Sequence, residues 1–362
     1  MKKISALVVA ILALAARGPA RAEKFNVTQY GRIVATLPWA VALERGMFRE
    51  AGLDIDGINA GAGGGTSVRN MLASSLPVGE LSTSAVIAAV KSGMPLKLVW
   101  TASDHVGELA WAVKPGSGIK SIRDLVGKKA GYTNPKSTTE MILRYALAKE
   151  GLTGKVETLA MGGLGPALTA LAQGAIAAGT LNDPLMTLEP KKYDIIFYAH
   201  QYVPKFSWAV GVVTPEFAAK EPKKVQAMVD VHRRAVEFIY GNRDEAAKIY
   251  AKVWEVSKDE ADRILPKYYE WKHWSTGEFS RDGLEAILEG TRLVGDHEGP
   301  FDWSKIVDQS YLPQDRRIAF CRLRAKRMSP FAVSPTPMRR APAMARSTRW
   351  ARSISICGAA NF

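Results

Sequence analysis

Gly61-Ala62-Gly63-Gly64-Gly65, followed by Thr66-Ser67, is the stretch of this chain whose residue types come nearest to a binding motif. A glycine turn that feeds a helix exposes backbone N–H groups with no intrahelical partner, and the helix dipole favours negative charge in front of them. Spacing excludes two nucleotide motifs. A Walker loop needs lysine before its Ser/Thr, and Gly65 stands there. The dinucleotide fingerprint needs a third glycine where Thr66 stands, and it belongs to the first strand-helix turn of its fold, whereas this turn is the second. A cradle for a small anion or polar group and a plain tight turn both remain.

Hydroxyl groups recur at comparable places. Ser82-Thr83-Ser84 and Ser137-Thr138-Thr139 each open an expected helix after a strand, where such residues commonly serve as N-caps. Tyr30-Gly31 ends the first expected strand, with Trp39 at the start of the following helix, and Asn182-Asp183 ends a later strand. Ligands of open α/β sheets bind in the crevice outside the strand carboxyl ends, so these loops are candidate contacts. Catalytic constellations are poor. His105, His200, His232, His273 and His297 are scattered with no pair at metal-ligand helical spacing, and no G-x-S-x-G elbow occurs. His105 and Glu108 lie near an expected crossover and either hydrogen-bond there or sit on a solvated loop. Trp254, Trp271, Trp274 and Trp303 read as packing groups. Both cysteines, Cys321 and Cys357, fall near the carboxy terminus, so the body offers no thiolate nucleophile and no cysteine metal site. No catalytic residue, metal ligand or cofactor is assigned.

The elements that must carry these loops alternate short apolar strands with amphipathic helices, the pattern of parallel α/β sheets. Strands are expected at 25–28, 53–58, 78–81 and 96–101, with helices at 38–50, 66–75 and 85–92 between them. A second unit follows, with strands at 110–113, 129–132, 156–159, 177–181 and 195–199, and 208–213 returns to the first unit. From Pro215 the pattern turns helical, with 222–240 the clearest amphipathic stretch. The chain then crosses between two lobes near 102–110 and 200–210. Lobe 1 is expected over 23–105 and 208–315, and lobe 2 over 106–207.

Charge and hydropathy set the two ends apart. The formal net charge is +14, yet residues 23–315 hold 34 Lys+Arg against all 35 Asp+Glu, so the body is almost neutral and a nucleic-acid groove is not implied. Lys2-Lys3, the apolar run Ile4 to Ala16 and Ala20-Arg21-Ala22 read as a cleaved export signal over 1–22, too short to span a bilayer. This implies a periplasmic protein. Residues 316–362 carry eleven basic groups and no acid, and are expected to be a disordered, non-native or frame-altered tail.

LERGMFREAGLDI at 43–55, SIRDLVGKKAGY at 121–132, the glycine turn and Gln309-Ser310-Tyr311-Leu312-Pro313 together resemble the nitrate/sulfonate/taurine and thiamine-precursor group of ABC-importer substrate-binding proteins. The resemblance covers about residues 25–315 and implies an α/β, type II periplasmic binding fold: two α/β lobes, two hinge crossings and a solute closed between them. By position it places ligand loops on Tyr30-Gly31 with Trp39, on Gly64-Gly65-Thr66, on Ser82-Thr83-Ser84, on Ser137-Thr138-Thr139 and on Asn182-Asp183. Trp39 and Tyr132 would enclose the apolar part of the solute. Asp183 is discordant beside an anion, so it either has a structural role or meets an amine or ring N–H of a zwitterionic solute. The implied partners are the solute, an ABC permease and its ATPase at the inner membrane, with the protein a monomer. A periplasmic sensor subunit and an enzyme of the same fold, such as a dehydratase, are the competing readings.

Overall fold

The computed structural model describes residues 23–31, 33–61 and 63–320. The expected export signal, and the expected tail from residue 321 onward, lie outside these residues.

The first half of the chain builds a sheet from β1 (Glu23–Val27), β2 (Ile55–Ala60), β3 (Val78–Ser82) and β4 (Lys97–Ser103), joined through α1 (Leu37–Glu44), α2 (Gly64–Leu72) and α3 (Thr83–Lys91). A second group of strands follows: β5 (Leu109–Val113), β6 (Lys129–Tyr132), β7 (Glu157–Ala160), β8 (Gly179–Asn182) and β9 (Asp194–Tyr198). Helices α4 (Thr138–Lys149) and α5 (Leu164–Gln173) lie among them. β10 (Ala209–Val213) returns to the first sheet. Helices α6 (Pro222–Gly241), α7 (Arg243–Trp254), α8 (Pro266–Glu270) and α9 (Arg281–Leu293) complete the parts that matter here.

The five-stranded sheet has the order β2-β1-β3-β10-β4. β1 is parallel to β2 and β3, and β10 lies antiparallel between β3 and β4. The second group forms a β8-β5-β9 sheet and a parallel β6-β7 pair, tied by a parallel bridge between Ala130 and Ala178. The fold is therefore mixed α/β, as the alternating pattern predicts, although the β8-β5-β9 sheet is antiparallel where that pattern implies parallel strands. Most strand positions differ from the expected ones by only one to three residues, because β-branched and aromatic runs bounded by glycine and proline mark them plainly. The expected helix 38–50 is broken: Gly46 adopts φ of 68°, which ends α1 and starts a separate turn at Met47–Glu50.

Register decides where the loops go. Ala209 lies opposite both Ser82 and Ser103, so the carboxyl ends of β3 and β4 share one edge of the first sheet. Leu109 lies opposite Asn182, which puts the entry to β5 beside the carboxyl end of β8. The chain passing from Ser103 to Leu109 thus joins the two strand-end edges directly.

α9 packs chiefly on α4 and also on α3, so it touches helices from both groups of strands. Just past its end, Asp296 Oδ1 meets Lys136 Nζ at 2.6 Å, and its carbonyl accepts from Lys91 Nζ. The sequence places the start of the basic tail at 316, but residues 316–320 run along the body. Arg316 pairs with Glu278 at 2.8 Å, and Gln309 exchanges two hydrogen bonds with Ile318, 2.7 and 2.8 Å long.

Candidate functional site

The glycine turn and the Ser82–Ser84 stretch meet. Gly64 opens α2 directly beside Ala85, where a Cβ on Gly64 would stand 2.6 Å from the Ala85 Cβ, so a side chain there would force the two helix starts apart. Neither α2 nor α3 has a side-chain cap at its start. Apart from the Thr83 N–H, which donates to Trp208 O, their first-turn N–H groups are donors that a helix normally leaves to a cap, to water or to a ligand. Ser82 Oγ and Ser84 Oγ are 2.9 Å apart, and Thr66 Oγ1 accepts from Arg69 at 3.1 Å. Gly65 is exposed, and Gly64 and Thr66 are half-buried.

Thr28 ties the first strand to the second helix start beside the glycine turn. Its Oγ1, at the end of β1, accepts from the Ser82 N–H at 2.9 Å, at the start of α3. Gly31 instead lies over Val253 at the end of α7. Burial and the neighbouring Glu44 carboxylate push the Tyr30 phenol up to about 12. Thr83 is spent on structure: its N–H donates to Trp208 O at 2.9 Å and its hydroxyl to Ser207 O at 2.5 Å. This stitches the returning chain onto the start of α3.

Trp39 is not at the strand ends. It is fully buried, 4.4 Å from Phe25 and 6.0 Å from Trp100 between ring centroids, and its Nε1 donates to the buried Glu80 carboxyl at 2.7 Å. Helix 37–44 is apolar on every face and is buried from Leu37 to Ala42, so its first residues face the core.

In the second group the hydroxyls satisfy one another. Ser137 caps α4 by accepting from the Glu140 N–H at 3.3 Å, while Thr139 Oγ1 lies 2.7 Å from Thr133 Oγ1 and 2.9 Å from Ser137 Oγ. Thr138 is half-buried. Tyr132 is nearly buried, and burial, together with the Glu140 carboxylate, raises its phenol above the ordinary range. Asn182 is buried where β8 meets β5.

Asp183 has a full set of protein partners. One oxygen accepts from the Thr187 N–H at 3.0 Å and its hydroxyl at 2.6 Å, and the other accepts from Tyr268 Oη and Lys267 Nζ, each at 2.6 Å. The carboxylate thereby fastens the end of β8 to α8, and the structural role left open by the sequence is the one the geometry fills.

Glu108, left undecided between a contact and a solvated loop, is buried. Its Oε2 accepts from the Val34 N–H at 2.9 Å, and Oε1 lies 4.0 Å from His273 Nε2. Burial, reinforced by the charge of Asp183, pushes its carboxyl up to about 8 despite N–H donors from Val34 and Ala35. Three histidines that look scattered in sequence also converge, with His105 5.3 Å from His200 and 6.0 Å from His273 between ring centroids. Among the described residues no group of three or more His, Cys, Asp or Glu could hold a metal ion. Thr28 and Trp208 are site-region residues that nothing in the sequence singles out, since their partners lie 54 and 125 positions away and no local motif marks them.

The sheet order, the crossings and the converging helix starts define an α/β protein with the periplasmic binding fold. The chain belongs to the NMT1/THI5-like family, whose description matches residues 35–246. A Bacillus subtilis (strain 168) protein named for binding aliphatic sulfonates is 24% identical over 235 residues, which is 63% of this chain and 70% of that protein. Among solved structures, the periplasmic aliphatic sulphonate binding protein SsuA from Escherichia coli superposes with a TM-score of 0.62 at 15% identity. The alignment covers 75% of this chain and 91% of that one. The alkanesulfonate-binding protein SsuA from Xanthomonas axonopodis pv. citri, bound to MOPS, gives a TM-score of 0.63 at 14% identity over 80% of this chain and 100% of that one. The desulfurization enzyme DSZB has a similar fold, with a TM-score of 0.59 at 14% identity over 80% of this chain and 97% of that one. The fold thus serves an enzyme as well as binding proteins.

Proposed function

We propose that this protein is the periplasmic solute-binding component of an ABC importer and that it captures a small organic oxyanion, of sulfonate type, between its two groups of strands. The observation that carries the reading is the abutment of two helix starts without side-chain caps, at Gly64 and Ala85. Aligned N–H groups and two helix dipoles hold an oxyanion without a buried counter-charge. The sulfonate-binding relatives support the same solute class. The linking segments 104–108 and 199–208 would act as hinges that let the second group of strands close over the solute.

The test is thermal unfolding of the purified protein with a panel of sulfonates, carboxylates, nitrate and taurine. A solute that binds only the folded state adds RT ln(1 + [L]/Kd) to stability, about 2.7 kcal/mol at a hundredfold excess over Kd. A rise in Tm of several degrees with at least one oxyanion, absent with the matching neutral alcohol, is the expected result. No shift across the panel at millimolar concentration refutes the reading.

A further inference from the structure

Five half-buried rings lie on or beside the segments that cross between the two groups of strands: His105 on the outward crossing, Tyr198, His200 and Trp208 at the return, and Trp271 just past α8. They sit close together. The Trp271 ring is 5.1 Å from both His105 and His200, and Tyr198 is 5.6 Å from His200. Trp208 Nε1 donates to His105 O at 3.3 Å, and the Trp208 carbonyl accepts from Thr83 N–H, so this ring set adjoins the start of α3. Gly107 is pressed beneath it: a Cβ there would come within 2.5 Å of the His105 and Trp271 rings.

These rings differ from those of the core. Trp39, Trp100 and Trp111 are fully sealed, whereas each of the five is only half-buried. Both imidazoles are flat, uncharged groups at neutral pH. Burial, then the His200 and Lys205 charges, lowers His105 to about 4, and burial lowers His200. His200 Nδ1 is buried with no hydrogen-bond partner among the described residues. The nearby acids are all engaged, Asp104 by Ser207, Glu108 by the Val34 N–H, and Asp183 by Lys267 and Tyr268. An anion held next to these rings would therefore meet no free carboxylate.

We propose that this aromatic and imidazole surface is the specificity-determining wall of the site, and that it selects an oxyanion carried on an aromatic or heteroaromatic ring over one carried on a short alkyl chain. The inference rests on the oxyanion site proposed above. Ligand sites pair a few placed polar groups with aromatic lining, and ring pairs at these separations add attraction beyond simple burial.

The experiment is calorimetric titration of the full protein with benzenesulfonate, ethanesulfonate and benzyl alcohol. Benzenesulfonate should bind about tenfold or more tighter than ethanesulfonate, the order of one ring-ring contact plus added apolar burial. Benzyl alcohol should bind much more weakly than benzenesulfonate. Trp271→Ala should lower benzenesulfonate affinity at least about fivefold and ethanesulfonate affinity by less than about twofold. Tyr198→Leu, which disturbs Gly107 less, should show the same split. Equal or tighter ethanesulfonate binding overturns the ring preference and leaves the oxyanion site standing. Benzyl alcohol matching benzenesulfonate, or no binding of either sulfonate, overturns the inference together with the sulfonate reading.

Discussion

Glu80 and Glu108 are sealed from water, each with a histidine nitrogen 4.0 Å away, His232 and His273 respectively. Burial pushes both carboxyls from an ordinary 4.5 up to about 8. The folded chain then holds more protons than the unfolded one between those limits, so stability falls as pH rises through that window, by up to about 1.4 kcal/mol per pH unit and group. The imidazoles act oppositely. Burial lowers His232 to about 3 and His105 to about 4, and depresses His200 and His273, so the folded chain binds fewer protons below 6.5 and loses stability as pH falls. Burial also depresses His297 and raises Asp104, so five imidazoles are set against three carboxyls below 6.5 and the carboxyls alone oppose stability above it; Tm should peak near pH 6.5. Glu80→Gln should flatten the fall between 6.5 and 8, as read by calorimetric melts at pH 5 to 9; a wild-type Tm constant from 6.5 to 8 contradicts this account. Single residues were also where the sequence misled most. Trp39 near a helix start and Asp183 at a strand end look available in the sequence, but the partners that occupy them, Glu80 and the pair Lys267-Tyr268, are 41 to 85 positions away.

The contrast between helix starts underlies the proposed site. α4 has its cap in Ser137, whereas α2 and α3 have none and are brought together by the absence of a side chain at Gly64. Gly64→Val should separate the starts and weaken sulfonate binding by tenfold or more, while overpacking lowers stability by only about 1–3 kcal/mol. Calorimetric titration alongside urea unfolding would read both. Unchanged affinity would mean that these N–H groups do not hold the solute. The glycine turn and the hydroxyl openings of α3 and α4 are legible in sequence, because glycine and Ser/Thr mark helix starts for local reasons. Which of those openings would be capped was not legible, since that depends on side-chain placement at each turn.

Taken together, the described residues place two groups of strands edge to edge at their carboxyl ends, linked by segments 104–108 and 199–208 and bridged by α9. Alternation of strand and helix made this arrangement readable in outline. The path of α9 was not, because an amphipathic helix does not state which neighbour covers it. The carboxy-terminal boundary follows from contacts: truncation after Phe320 should leave Tm and solute affinity unchanged. Truncation after Asp315 removes the Arg316–Glu278 pair and the Gln309–Ile318 bonds and should lower Tm by a few degrees. Differential scanning calorimetry of the two forms distinguishes them, and a large loss in the longer form would place needed contacts beyond residue 320.

The uncapped helix starts have a kinetic consequence. Both belong to the five-stranded half, so under the proposed function a solute arriving while the halves stand apart would find its anchoring donors already assembled on one of them. Capture would then depend on that half alone, and escape on how firmly the Thr133-Ser137-Thr139 side shuts. The speed of loading and the length of stay would then be set by different stretches of the chain and be free to evolve separately.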